Sequence, residues 1–263
     1  NRKRNKRNET RSYYQIYKGN MREKTIFITG GAKRIGASIA NYFHAKNFKI
    51  VIHYNKSKEE VNKLSQELNE KEKGSCKTLQ ADFSLKDSVS NTIEQFYSLS
   101  DRIDVLVNNA SSFYPTPIQE ASEEQWKNLL DTNATTPLFL IQGFQKGLQE
   151  SGGSVINISD SLASKGIKNY SLYSSAKGAL ETLTKSLAKE LAPEIRINAV
   201  APGAILWPED EEINEETKNS ILEKVDLRRI GNPKDIASAV YFLTQASYIT
   251  GQVLKVDGGR SVI

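Results

Sequence analysis

From Met21 onward the chain alternates short apolar runs with amphipathic stretches of helical spacing, and this alternation leaves few folds open. Thr25-Ile-Phe-Ile-Thr29, Lys49-Ile-Val-Ile-His53, Thr78-Leu-Gln-Ala-Asp82, Ile103-Asp-Val-Leu-Val107, Ser154-Val-Ile-Asn-Ile158, Ile195-Arg-Ile-Asn-Ala-Val200 and Gln252-Val-Leu-Lys-Val256 read as strands. Helices are expected between them: up to about residue 45, then over 58–72, 85–99, 123–149 with a break near Thr136-Pro137, and 170–191, with a last one opening at Pro233. Strands that are apolar along their whole length belong in a parallel sheet covered on both faces. The expectation is therefore one three-layer, doubly wound α/β domain over residues 21–263, built on a mostly parallel seven-stranded sheet. Residues 204–220, with Trp207, Pro208 and the acidic run from Glu209 to Glu212, read as an irregular excursion.

Charge narrows the function less than it first suggests. The net charge is +5, but Arg2, Lys3, Arg4, Lys6, Arg7, Arg11 and Lys18 lie in the first 20 residues against the single acid Glu9. Removing those seven from 36 basic residues, and Glu9 from 31 acidic ones, leaves the remainder at 29 against 30. A basic arm can grip phosphate backbones or pass for a transit peptide. The only methionine is Met21, however, so residues 1–20 are expected to be upstream or non-native sequence, disordered and without function. No apolar run reaches the roughly 20 residues that span a bilayer. The lone Cys76 excludes an intrachain disulfide and fits a reducing, cytoplasmic setting. It is placed in a polar loop-to-strand region without a catalytic role. With only His44 and His53 and no cysteine pair, no metal site is expected.

The first strand runs into Gly30-Gly31-Ala-Lys33-Arg34-Ile35-Gly36 and a helix, a turn that points backbone N–H groups and the positive helix end at a pyrophosphate. This makes the fold a Rossmann-type dinucleotide binder. Sites for NAD usually close the second strand with Asp or Glu; here the stretch is His53-Tyr54-Asn55-Lys56-Ser57, with no acid until Glu59. Arg34 and Lys56 suit the extra phosphate of NADPH instead. Asp82 is read either as an acceptor for the adenine amino group or as a cap near Ser84. Asn108-Asn109-Ala110 ends the fourth strand with small side chains at the rim of the site. Tyr173 and Lys177, four residues apart, share one helix face, where a cation lowers the pKa of the phenol and fits it to pass a proton. Asn133 is placed to hold a water or a carbonyl that positions Lys177.

Taken together, Thr29-Gly30 with Gly36, Asn108-Asn109-Ala110, Asn133, Tyr173 with Lys177, Pro202-Gly203 and Val256-Asp257-Gly258-Gly259 resemble the short-chain dehydrogenase/reductase family across residues 21–263. The resemblance implies a catalytic set of Tyr173 as acid/base, Lys177 on the nicotinamide ribose and Asn133 in a proton relay. It implies a cofactor site drawn from Gly30, Lys33, Arg34, Ile35, Gly36, His53, Tyr54, Asn55, Lys56 and Ser57. Asp82, Phe83, Asn109, Ala110, Ser111, Tyr173, Lys177, Pro202, Gly203 and Ala204 complete that site.

One position departs from the family pattern. Thirteen residues before Tyr173, where a serine usually bonds a substrate carbonyl, stands Asp160. A carboxylate repels a developing alkoxide but suits a ring nitrogen or amino group that exchanges a proton. The departure is similar to the pteridine reductase branch. So are Gly31-Ala-Lys33-Arg34-Ile35-Gly36, Ser111-Ser112-Phe113-Tyr114-Pro115-Thr116-Pro117 and Pro202-Gly203-Ala204-Ile-Leu-Trp207-Pro208.

That branch implies an NADPH-dependent reduction of a dihydropterin, dihydrobiopterin or dihydromonapterin, with dihydrofolate a further candidate. Ser111, Phe113, Asp160, Tyr173 and Trp207 would bind the substrate, with the pterin stacked on Phe113, and Asp160 would join the catalytic set as the partner of Tyr173 in delivering the proton. Two alternatives stand beside it. One is a carbonyl reductase such as a 3-oxoacyl-[acyl-carrier-protein] reductase, with Ser159 or Ser161 taking the serine's part. The other is a non-catalytic NADP-binding regulator or basic-arm nucleic-acid binder, against which an intact Asn133, Tyr173 and Lys177 speak. Leu180, Leu183, Leu187 and Leu191, more than one buried face needs, together with the family resemblance imply subunit contacts in a homotetramer.

Overall fold

The computed structural model describes residues 23–206 and 214–262. Its elements follow in the order β1 (Thr25–Ile28), α1 (Arg34–His44), β2 (Lys49–Tyr54), α2 (Lys58–Lys71), β3 (Cys76–Gln80), α3 (Ser88–Leu99), β4 (Val105–Asn108) and α4 (Glu123–Leu130). A π-turn (Asp131–Thr135), α5 (Thr136–Ser151), β5 (Ser154–Ile158), α6 (Ser171–Glu190), β6 (Arg196–Pro202), α7 (Glu215–Glu223), α8 (Pro233–Gln245) and β7 (Val253–Val256) complete the chain. The seven strands form one sheet in the order β3-β2-β1-β4-β5-β6-β7, every pair parallel. The expected doubly wound architecture is the one found.

Alternate residues of each strand feed opposite layers, which is why the inner strands β1, β4 and β5 are buried along their whole length. Ile26 and Ile28 pack with Ile39 and Phe43 of α1, Leu64 of α2 and Val240 of α8. Phe27 points the other way, against Phe96 of α3 and Phe144 of α5, with ring centroids 5.3 and 5.5 Å away. Order reverses between β1 and β4, so the crevice beyond the carboxyl ends of these strands is where such a sheet takes its ligand.

Four expectations are corrected. The third strand is Cys76–Gln80, two residues earlier than read, because it pairs in register with β2 from Ile50 opposite Cys76 to Tyr54 opposite Gln80. Cys76 is therefore a buried core residue, and burial pushes its thiol up to about 11. The helix through Thr136-Pro137 does not break; it widens into the π-turn. Pro137 has no N–H for the carbonyl of Asn133 four residues back, and its ring crowds that carbonyl, which gives the widening a cause. Finally, residues 215–220 of the supposed irregular excursion belong to α7, started by Asn214, whose side chain accepts from the Thr217 N–H.

The basic arm, Trp207, Pro208 and the Glu209 to Glu212 run lie outside the described residues. Among the described residues no helix is long and apolar enough to cross a membrane, and no three His, Cys, Asp or Glu side chains gather as a metal site. Leu180 is buried and Leu187 and Leu191 pack partly on the core, which leaves Leu183, half-buried and in neither core cluster, as the one leucine of the four spare for a subunit contact.

Candidate active site

The glycine turn is held by its own side of the protein. Gly30 has φ +60°, and a Cβ on it would lie 2.9 Å from Ala110 Cα. A Cβ on Gly36 would meet the Gly30 carbonyl at 2.5 Å and Gly31 Cα at 2.7 Å, so only glycine lets α1 start this close to β1. Asn109 latches the turn, its amide donating to the carbonyls of Thr29 (3.0 Å) and Gly30 (2.9 Å). The hydroxyl of Thr29 accepts from the N–H groups of Asn109 and Ala110. Arg34 stands at φ +54°, the left-handed region natural to the glycine it replaces.

A cleft of about 690 Å³ opens over this turn. Gly30, Lys33, Arg34, Ile35, Gly36, His53, Tyr54, Asn55, Lys56, Ser57, Asp82, Phe83, Asn109, Ala110 and Ser111 all line it. Lys33 is engaged at its edge by Glu60, 3.1 Å away. Asp82 accepts from the N–H (3.0 Å) and hydroxyl (2.7 Å) of Ser84, so it closes a local turn rather than capping α3, and those bonds hold its carboxyl below the usual range. Of the expected cofactor residues, Tyr173 and Lys177 do not line the cleft, and neither do Pro202, Gly203 and Ala204. The last three are tied to the Asp257 turn, where the Gly203 N–H donates to the Val256 carbonyl at 3.0 Å.

Two of the expected contacts face inward. The Gly30 N–H donates to His53 Nδ1 (3.1 Å) and the Gly31 N–H to the His53 carbonyl (3.0 Å), so neither amide of the turn is offered to a phosphate. What the turn still directs at an anion is the positive end of α1. His53 itself is only 2% exposed; it braces the site from behind. Burial pushes its imidazole down to about 4.

The sign of that shift gives a prediction. As pH falls below the ordinary value near 6.5, the unfolded chain binds the proton before the folded one. The stability His53 contributes is present above pH 6.5 and is lost progressively down to about pH 4, for a total of about 3 kcal/mol. Urea unfolding at steps through that window is expected to show this loss, and His53→Asn to flatten the profile.

The reactive groups come from the ends of β5 and α6. Tyr173 donates its hydroxyl to Asp160 Oδ2 at 3.0 Å, while the Leu162 N–H holds Oδ1 at 2.8 Å. Lys177, buried on the same helix face, donates to the Ile158 carbonyl at 2.9 Å and lies 5.8 Å from the Tyr173 ring. The expected lowering of the phenol's pKa is not found. Burial, then the charge and hydrogen bond of Asp160, push Tyr173 well above the ordinary tyrosine value. Burial likewise pulls Lys177 down to about 8, against the opposing pull of Asp160.

Asn133, 1% exposed, makes its side-chain bonds without Lys177: it donates to the carbonyls of Ser112 (3.0 Å) and Leu129 (2.9 Å) and accepts from Ser111 Oγ (2.7 Å). Ser111 thus joins the cleft to the π-turn. Of the serines flanking Asp160, Ser159 gives its hydroxyl proton to Glu181 at 2.8 Å, and Ser161 is 1% exposed. Phe113, 55% exposed, lies flat on Tyr170 (4.5 Å between centroids, 12° between planes) and edge-on to Tyr173 at 4.7 Å.

Tyr170 was not anticipated, nor were Asn128 and Thr132 in the cleft wall. Tyr170 sits three residues before Tyr173, a spacing that marks a shared face and was there to be read.

The enoyl-(acyl carrier protein) reductase family model matches residues 30–261. Pteridine reductase 1 of Leishmania tarentolae is 34% identical over 277 residues, covering 89% of this chain and 95% of the relative. The 3-oxoacyl-[acyl-carrier-protein] reductase FabG of Chlamydia muridarum is 34% identical over 244 residues, covering 90% and 97%. Its counterpart in Staphylococcus aureus strain Mu50 is 33% identical over 240 residues, with 90% and 97% covered. With a parallel Rossmann sheet, a glycine turn at its switch point and Tyr173 beside Lys177, the chain belongs to the short-chain dehydrogenase/reductase family of oxidoreductases.

Proposed function

We propose that the protein is an NADPH-dependent pteridine reductase of the cytoplasm, forming a homotetramer, that reduces a C=N bond of a dihydropterin to the tetrahydro form. The observation that carries this is the carboxylate of Asp160, 3.0 Å from the Tyr173 hydroxyl, where the family's carbonyl reducers usually place a serine.

The residues present fit the cofactor. No acid closes β2, while Arg34, Lys56 and Ser57 line the cleft as donors for a ribose phosphate, and Gly36 leaves room for the chain to approach. NADPH, when bound, supplies the hydride to the electron-poor carbon of the substrate. The chain supplies position and the proton. Phe113, more than half exposed and backed by Tyr170, offers a flat face to a heterocycle. Tyr173 remains protonated at neutral pH, because burial and Asp160 disfavour the phenolate, and so acts as a donor toward the neighbouring ring nitrogen. Asp160 fixes where that proton lies and carries a negative charge that attracts N–H donors and repels an alkoxide.

The 3-oxoacyl reductases are as similar in sequence as the pteridine reductase, so carbonyl reduction is the competing reading. The inward-turned hydroxyls of Ser159 and Ser161 weigh against it.

Calorimetry of biopterin on the NADP+-loaded protein tests the reading. Binding is expected, weakened about tenfold or more in Phe113→Ala, given about 1–3 kcal/mol per stacked base. Absence of pterin binding in the unmodified protein would sink it.

A further inference from the structure

We propose that His53 is a positioning residue: in one neutral tautomer it holds the glycine turn in shape and so sets cofactor affinity without touching the cofactor. The inference rests on the reading that the cleft takes NADPH, and it goes beyond the direct contact that position 53 was expected to make.

Three parts of the cofactor site converge on this side chain. The Gly30 N–H donates to Nδ1 at 3.1 Å, and Nε2 lies 3.0 Å from the carbonyl of Ala81, just past β3. The ring of Phe83, from the same loop, stacks on the imidazole at 4.2 Å and 30°. The backbone of His53 adds a fourth tie, its carbonyl accepting from the Gly31 N–H at 3.0 Å. Two consecutive amides of the turn are thus anchored on one residue of β2.

The partners leave no freedom over where the proton sits. A backbone N–H only donates, so Nδ1 must present its lone pair. A carbonyl only accepts, so Nε2 must carry the hydrogen. No other side chain fills both roles with the same ring. Gly30 is already at φ +60° and within 2.9 Å (from a Cβ position) of Ala110, so its amide has little room to find another acceptor. At 2% exposure there is no solvent to take one partner's place.

Substitution separates the two hydrogen bonds. Asn places an oxygen where Nδ1 stands and can keep the Gly30 bond. Gln reaches the Nε2 position and can keep the Ala81 bond. Phe keeps the ring on Phe83 and loses both.

The test is the Kd of NADPH by fluorescence for the unmodified protein, His53→Asn, His53→Gln and His53→Phe, each beside its melting curve. The expected order is a rise of at least about tenfold for Phe and Gln but no more than about threefold for Asn, with no matching order in melting temperature. A Phe variant that binds NADPH like the parent overturns the proposal, as does an Asn variant as weak as Gln, which would leave only packing. Should His53→Phe fail to fold, the Asn and Gln comparison decides alone. An unmodified protein that binds no NADPH removes the cofactor reading and this proposal with it.

Discussion

Replacing Tyr173 by phenylalanine is expected to lower kcat by about 10²–10⁴-fold while leaving the fold and cofactor binding in place. The substitution keeps the ring against Phe113, 4.7 Å away, and beneath the Lys177 ammonium at 5.8 Å. It removes one hydroxyl, the one that donates to Asp160 Oδ2. Asp160 is only partly buried and keeps its bond from the Leu162 N–H, so water can replace the lost partner. The cost to stability is accordingly within about 1 kcal/mol. The split to look for is a collapse in kcat with the Kd of NADPH within a few-fold of the parent. If both parameters move together, the phenol holds the site together rather than supplying its proton.

The second large effect belongs to Asp160→Ser, which restores the residue usual in carbonyl reducers. Turnover of a dihydropterin is expected to fall by about 10²-fold or more, since a fixed charged partner aimed at the reacting group is lost. The substitution acts on its neighbours as well. Asp160 raises the pKa of both Tyr173 and Lys177, so its removal shifts both downward. Lys177 is buried, and losing the nearby negative charge makes its own charge harder to hold. The alkaline limb of kcat/KM for NADPH is therefore expected to move to lower pH in the Ser variant. Full activity with dihydropterins in Asp160→Ser would remove the role assigned to the carboxylate.

Much of this molecule was legible because its local signals agree. Seven apolar runs with helices between them admit little but a parallel sheet, and the glycine spacing locates its ligand end. What escaped reading did so for identifiable reasons. The third strand reads two residues late because Cys76 and Lys77 lie in a polar stretch that looks like loop, while the register with β2 is a long-range fact. Pro137 signals a helix break, but a chain can widen by a residue and continue.

The site was legible as a set and less so as directions. Sequence placed His53 and Asn133 among the functional residues, yet both spend their polar atoms on backbone or on Ser111. Lys177 suggested a lowered phenol, but burial and the carboxylate opposite outweigh a cation that points at the Ile158 carbonyl. Which way a polar side chain points depends on neighbours far away in the chain, and no spacing rule carries that.

We propose that the Asp160–Tyr173 pair commits a common reductase scaffold to C=N rather than C=O chemistry. The ratio of kcat/KM for 7,8-dihydrobiopterin to that for an acetoacetyl thioester, both with NADPH and the unmodified protein, tests it directly. A ratio in favour of the pterin by about 10²-fold or more is predicted, since a site built to hydrogen-bond one group rejects a substrate that lacks it. A ratio in favour of the thioester would overturn that assignment and place the protein with the carbonyl reductases it equally resembles.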